Sequence, residues 1–346
     1  METIINEILN ETNRGDHVEP DLLQKIRIAV IGVGGAGSNA VTRLYNNGIK
    51  SAKTYAINTD AKHLNEIARA HEKILIGKEI TRGMGAGGDP LVAKKCIESD
   101  LDLIRKVVEN NEIVFVSAGM GGGTGTGAAP IVARTAKEEG ALVISVVTLP
   151  FKLEGVRIKK AHEGLKEMMK YSDTVIVIDN NRLLDYAPNL PINDAFKLAD
   201  NIIGRAVKGI ADSIVLPSLI NIDYADVRSI MKDKGLAMIS VGEGSGPDKI
   251  QQAIESTLTH PLLDVNFEGA KGGIIHIEGS ESTTLGEVVE LGKGITNQFD
   301  KDADVKIGAR INPNLTDRII VSAIITGVHS PQLVSSKKPD NEYIVI

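Results

Sequence analysis

Residues 117–130 run Ser117-Ala-Gly-Met-Gly-Gly-Gly-Thr-Gly-Thr-Gly-Ala-Ala-Pro130, and six of the nine positions from Gly119 to Gly127 are glycine. The run before it, Glu112-Ile-Val-Phe-Val-Ser117, is short, β-branched and aromatic, which reads as a buried strand. The run after it, Ala128 to Glu139, has Ile131, Val132, Thr135 and Ala136 at helical spacing. The segment is therefore strand, glycine loop, helix. Without Cβ atoms, successive backbone N–H groups converge on one point, and the helix start adds its unsatisfied N–H groups and the positive end of its dipole. Such a loop cradles phosphate, with Thr124 and Thr126 as further hydroxyl donors. A merely flexible turn needs only a glycine or two.

Outward from this centre, apolar runs at Arg27–Val33, Lys53–Ile57, Lys73–Ile76, Ile113–Val116, Leu142–Val147 and Thr174–Ile178 alternate with helical stretches. The pattern predicts a largely parallel sheet covered on both faces, with its ligand site beyond the carboxyl ends of the strands. Three loops fall at that edge. The first, Gly32-Val-Gly34-Gly35-Ala36-Gly37-Ser38-Asn39, satisfies G-x-G-x-x-G and alone suits a dinucleotide equally well. The second is Thr81-Arg-Gly-Met-Gly85-Ala86-Gly87-Gly88-Asp-Pro90, and the third is the stretch quoted above. A dinucleotide fold needs one such loop for its pyrophosphate, whereas three can surround a triphosphate. The P-loop sequence G-x-x-x-x-G-K-[ST] is absent.

Composition narrows the classes. At 346 residues, 42% of them apolar, the chain is long enough for two cores. Apolar runs fall short of the roughly 20 residues a membrane helix needs, and the N-terminus lacks a signal-peptide pattern, so we expect a cytoplasmic protein with no direct membrane insertion. A single cysteine, Cys96, excludes an internal disulfide or thiolate metal cluster. A net charge of −6 without a basic cluster argues against nucleic acid as a partner.

Residues 1–25 read as an N-terminal extension, a short helix carrying Ile4, Ile5, Ile8 and Leu9 followed by a polar tether. Pro191 opens a long helical pattern through Phe196, Ala199, Ile202, Ile203, Ala206, Ile210 and Ile214, ending near Leu216. Beyond it, Asp223 and Asp226 stand at the start of a helix from Ala225 to Lys234, where a cap and a dipole partner would account for both. A second α/β unit follows, with strands at Ala237–Val241, Gly273–Ile277, Val305–Ile311 and Ile319–Ile325 and helices near Lys249–Thr259 and Thr284–Phe299. The chain divides at 26–190, 191–217 and 218–328, with a polar tail at 329–346.

The glycine run 121–127 resembles the signature of tubulin-type GTPases. Together with 34–39, Asn58-Thr-Asp60, 85–88 and Asn221-Ile-Asp-Tyr-Ala-Asp226, all in order, it resembles the FtsZ family of cell-division GTPases. The resemblance runs from about Arg27 to Val328. It implies a Rossmann-type GTP-binding domain joined by a long central helix to a smaller α/β domain. It also implies head-to-tail filaments of the division ring, in which a neighbour completes the GTPase site. By resemblance GTP or GDP is held by Gly34, Gly35, Ala36, Gly37, Ser38 and Asn39, by Asn58 and Asp60, by Gly85, Ala86, Gly87 and Gly88, and by Gly121, Gly122, Gly123, Thr124, Gly125, Thr126 and Gly127. Glu154 and Arg157 then contact the ribose and phosphates, Phe196 stacks on guanine, and Asp200, one turn later on the same face, bonds its edge. Asn221, Asp223 and Asp226 become catalytic, and the tail becomes a candidate tether for membrane anchors or other division proteins.

Two positions depart from the family pattern. Glu154 and Arg157 are three apart rather than four, and Lys62 stands where a glutamine near the magnesium ion is usual. An ammonium cannot ligate metal, so Mg2+ is expected to be held mainly by phosphates and water, with Lys62 beside the terminal phosphate. The rival class, a dinucleotide-dependent oxidoreductase using Gly32, Gly34 and Gly37, leaves two glycine loops unused and lacks an acid/base constellation.

Overall fold

The computed structural model describes residues 26–186, 189–216, 218–259 and 268–328. The expected N-terminal helix and the tail lie outside them. The first unit contains β1 (Ile28–Val33), α1 (Gly34–Asn46), β2 (Lys53–Asn58), a π-helical turn (His63–Ile67), β3 (Glu72–Leu75), α2 (Lys78–Thr81), α3 (Pro90–Ser99) and α4 (Leu101–Val108). It continues with β4 (Ile113–Gly119), α5 (Thr124–Glu138), β5 (Leu142–Leu149), α6 (Val156–Tyr171), β6 (Thr174–Asp179) and α7 (Asn181–Tyr186). The central helix α8 (Ile192–Val215) leads to α9 (Tyr224–Met231), β7 (Gly235–Ser245), α10 (Lys249–Leu258), β8 (Gly272–Gly279), α11 (Leu285–Thr296), β9 (Asp304–Ile311) and β10 (Arg318–Thr326).

Strands β1 to β6 pair in parallel in the order β3-β2-β1-β4-β5-β6, the doubly wound arrangement whose ligand crevice opens where the order reverses, between β1 and β4. The quoted stretch leaves β4 at that point. Helices cover both faces because the parallel strands are apolar on both. Ile97, Ala129, Val132 and Leu165 of α3, α5 and α6 pack on one side; Val41, Leu44, Ile203 and Val207 of α1 and α8 pack on the other.

The second unit does not form a separate sheet. β7 pairs in parallel with β6 from Thr174–Gly235 to Ile176–Ala237, and β10 then runs antiparallel between β7 and β8, giving one ten-stranded sheet. Helix α8 ties the halves together: Ile203, Val207 and Ile210 share a cluster with Ile28 and Val30 of the first unit and with Ile274 and Ile324 of the second. Burying each such side chain stabilises by roughly 1.5–3 kcal/mol. At Gly209 an added Cβ would fall 2.7 Å from Ser322 Oγ, so glycine permits the close seating of α8 on β10.

Candidate functional site

A cleft of about 980 Å³ opens at the β1/β4 crevice. Of the expected residues, Gly35, Ala36, Asn58, Asp60, Gly85, Ala86, Gly87, Gly88, Gly122, Gly123, Thr124, Gly125, Glu154, Arg157 and Phe196 line it. The three glycine loops therefore do converge.

The other expected residues are not in the lining. Helix α5 begins at Thr124, not Ala128, so half of the glycine stretch is helical. A Cβ on Gly127 would sit 2.0 Å from Pro90 O, and one on Gly37 would sit 2.2 Å from Ser117 O. At both positions any side chain would collide with neighbouring backbone, so close packing alone requires glycine there. Gly34 (φ 74°) turns the chain into α1, against Gly125. Thr126 lies outside the lining, and its Oγ1 is turned inward and accepts the Gly121 N–H at 2.9 Å, holding the left-handed Gly121 (φ 96°). Thr124, by contrast, lines the cleft, its hydroxyl 2.8 Å from Thr59 Oγ1. Ser38 is buried, whereas Asn39 is exposed on α1 outside the lining.

Glu154 and Arg157 do not share a regular helix. Lys152–Glu154 is a 3-10 turn, Gly155 (φ 28°) breaks it, and α6 starts at Val156. The break lets a three-residue spacing bring the two side chains together: Arg157 donates to Glu154 Oε2 while Oε1 accepts the Phe151 N–H. At the far wall Phe196, 38% exposed, meets Phe151 edge-on with ring centroids 5.8 Å apart. Asp200, four residues further along α8, is not in the lining. Its Oδ2 accepts from Arg43 Nε at 2.9 Å, and burial pushes its carboxyl up from the ordinary aspartate value although Arg43 pulls it down.

Lys62 is exposed and outside the lining; its neighbour His63 faces the cleft instead. The Asp60 carboxylate accepts the His63 backbone N–H at 3.0 Å, which sets the turn and directs the ring inward. Sequence reading also missed Lys160, whose ammonium donates to Gly88 O at 2.7 Å and pins the second loop to α6. Phe151, Thr148 and Asn180 complete the wall. Only Phe151 had a visible signal, an aromatic after Pro150 at a strand end.

The residues at 221–226 are elsewhere. They follow α8, whose 24 residues span about 36 Å at 1.5 Å per residue. Backbone bonds between Ile220 and Ala309 of β9 fix the loop, and Asn221 Oδ1 accepts the Ser218 N–H at 3.0 Å. Asp223 occupies the N-cap position of α9 but makes no side-chain cap bond, and it is exposed. Asp226 pairs with Lys306 at 3.0 Å and holds that ammonium above its ordinary pKa.

A doubly wound sheet with three glycine loops at its switch point and an aromatic wall defines a nucleotide-binding protein. The matches to known families specify which kind. Residues 27–188 match the Tubulin/FtsZ family GTPase domain and residues 235–329 the FtsZ family C-terminal domain. The chain belongs to the tubulin/FtsZ family and carries its GTPase domain, which implies guanine-nucleotide binding. Cell division protein FtsZ 2 of Methanocaldococcus jannaschii is 53% identical over 91% of this chain and 83% of its own length. FtsZ 2 of Halobacterium salinarum is 49% identical over 89% and 78%. The solved structure of an empty FtsZ dimer from M. jannaschii superposes with a TM-score of 0.83 at 40% identity, covering 98% of each chain. The oxidoreductase reading falls with these matches. Among the described residues, no helix is long and apolar enough to cross a membrane.

Proposed function

We propose that the protein polymerises head to tail, that each cleft holds GTP, and that hydrolysis is completed by Asn221, Asp223 and Asp226 of the next subunit in a division-ring filament. Residues 26–190 bind the nucleotide, 191–217 form the strut, and 218–328 offer the opposite filament face. One observation carries this reading: the cleft carboxylates are already engaged, Asp60 by the His63 N–H and Glu154 by Arg157, while exposed Asp223 stands at the other end of α8. The geometry of the two ends agrees. Leu153 is 83% exposed at the cleft rim and Leu219 73% exposed beside the acidic loop, an apolar pair suited to a heterologous contact that propagates.

The chemistry assigns each group a part. Backbone N–H groups of Gly122, Gly123 and Thr124 at the start of α5 stabilise the phosphates, Phe196 and Phe151 hold the base, and Asp200 selects guanine. Asp223 of the neighbour accepts a hydrogen bond from water and aligns it with the γ-phosphate. The described residues hold no cluster of three or more His, Cys, Asp or Glu side chains able to bind a metal. Mg2+ would then be carried mainly on phosphate oxygens and water, where it would supply charge neutralisation. Sedimentation with GTP, with GDP and without nucleotide tests the proposal. Pelleting that depends on GTP supports it; a protein that stays in the supernatant at every concentration and hydrolyses GTP alone contradicts it.

A further inference from the structure

The His63 ring is the feature of the cleft that neither the glycine signature nor the guanine wall explains. It lines the cleft where the π-helical turn begins, and Nε2 is 3.8 Å from the position a Cβ on Gly35 would take, beside the start of α1. Nδ1 is buried and has no hydrogen-bond partner among the described residues.

That asymmetry fixes the proton. A neutral imidazole carries one N–H, and burying an unpaired N–H donor is costly. The favoured tautomer therefore leaves the bare lone pair at Nδ1 and places the hydrogen on Nε2, facing the loop. The backbone that carries the ring is fixed at the turn, where the His63 N–H donates to Asp60 Oδ1 at 3.0 Å.

We infer that His63 donates from Nε2–H to a phosphate oxygen of the bound nucleotide at the start of α1, as a neutral positioning group. It supplies the side-chain donor that Lys62 was expected to be, without adding a charge. The contact complements the backbone N–H groups of Gly35 and Ala36.

The inference rests on reading the cleft as a guanine-nucleotide site, and the experiment separates the two. Displacement of a fluorescent GDP analogue is measured for the native chain, His63→Ala and His63→Gln, with GDP, GTP and guanosine as competitors. His63→Ala should weaken GDP and GTP on the order of tenfold and leave guanosine unchanged, as a lost bond to a charged acceptor requires. His63→Gln, which keeps an amide donor, should recover most of the loss, and melting of the nucleotide-free variants should match the native chain. In the native chain, 15N-labelled histidine should show the Nε2–H tautomer, with its Nε2 resonance moved by GDP but not by guanosine. If the native chain binds no guanine nucleotide, the site assignment itself is wrong. Native binding with unchanged GDP affinity in His63→Ala, or an equal loss for guanosine, overturns the role of His63 alone.

Discussion

Replacing Asp200 by asparagine should convert the preferred base from guanine to xanthine. Guanine presents two adjacent donors, N1–H and the 2-amino group, and a carboxylate accepts from both. In the structure Arg43 Nε donates to Asp200 Oδ2 at 2.9 Å, with the aspartate side chain only 16% exposed. Arg43 has only donors, so in Asp200→Asn it holds the amide oxygen and turns the NH2 group toward the base. Guanine then meets a donor where it needs an acceptor. Xanthine, whose position 2 is a carbonyl, supplies one. Losing a charge-assisted bond and burying an unpaired amide together cost about 3 kcal/mol, or on the order of a hundredfold in GTP affinity. Competition of GTP, XTP and ATP against a fluorescent nucleotide reads the change directly. Because burial raises the Asp200 carboxyl, native guanine preference should also fade on acidification at a higher pH than for an ordinary aspartate, the protonated acid presenting a donor. If Asp200→Asn keeps its preference for GTP over XTP, Asp200 does not read the base.

Thr126→Val removes the acceptor of the buried Gly121 N–H and should cost about 1–3 kcal/mol in denaturant unfolding, with weaker nucleotide binding, since Gly121 then loses its hold on the loop. Asp226→Ala breaks only a partly exposed pair with Lys306, so denaturant unfolding should hardly change and GTP should still bind, while turnover falls at least tenfold. Glu278 on β8 has its carboxyl held down to about 2, first by the His276 ring 3.8 Å away and then by the Asn312 amide at 3.1 Å, against its own burial. A depressed carboxyl stabilises above its unfolded value of 4.5 and loses that contribution as pH falls toward 2. Glu278→Gln should therefore cost up to about 3 kcal/mol at pH 7, and its unfolding curves should approach those of the native chain as pH falls from about 5, meeting them only near pH 2.

The sheet was legible because its strands are buried on both faces, and continuous apolar runs such as Ile113–Val116 and Leu142–Val147 announce that burial whatever surrounds them. The cleft was legible as far as backbone makes it, since glycine is needed wherever chains approach closely. The same economy hid a distinction: a side chain at Gly37 or Gly127 would strike backbone, whereas Gly122 has open space beside it in the cleft, yet one letter denotes both. Side-chain direction was not legible. Whether Lys62 or His63 faces the cleft depends on the turn set by Asp60, and whether Thr126 points out or in depends on α5 starting four residues early. Nor does sequence order reveal Arg43 beside Asp200, 157 positions away. The continuity of the sheet across β6 and β7 rests on three residue pairs, too few to leave a pattern.

The most direct test of a shared active site is turnover in a mixture of two inactive variants. Asp226→Ala keeps the cleft and lacks the aspartate. Gly122→Glu places a carboxylate in the cleft, where a Cβ meets nothing within 4 Å, so it repels phosphate without disturbing packing and keeps its acidic loop. In an equal mixture, a half of subunits can bind GTP and a half of their neighbours can supply Asp226, so about a quarter of interfaces are competent. GTP turnover should return toward that fraction of native and should rise with total protein concentration. Turnover that stays at the level of the separate variants, together with a native rate per subunit independent of concentration, would mean that one chain holds the whole site.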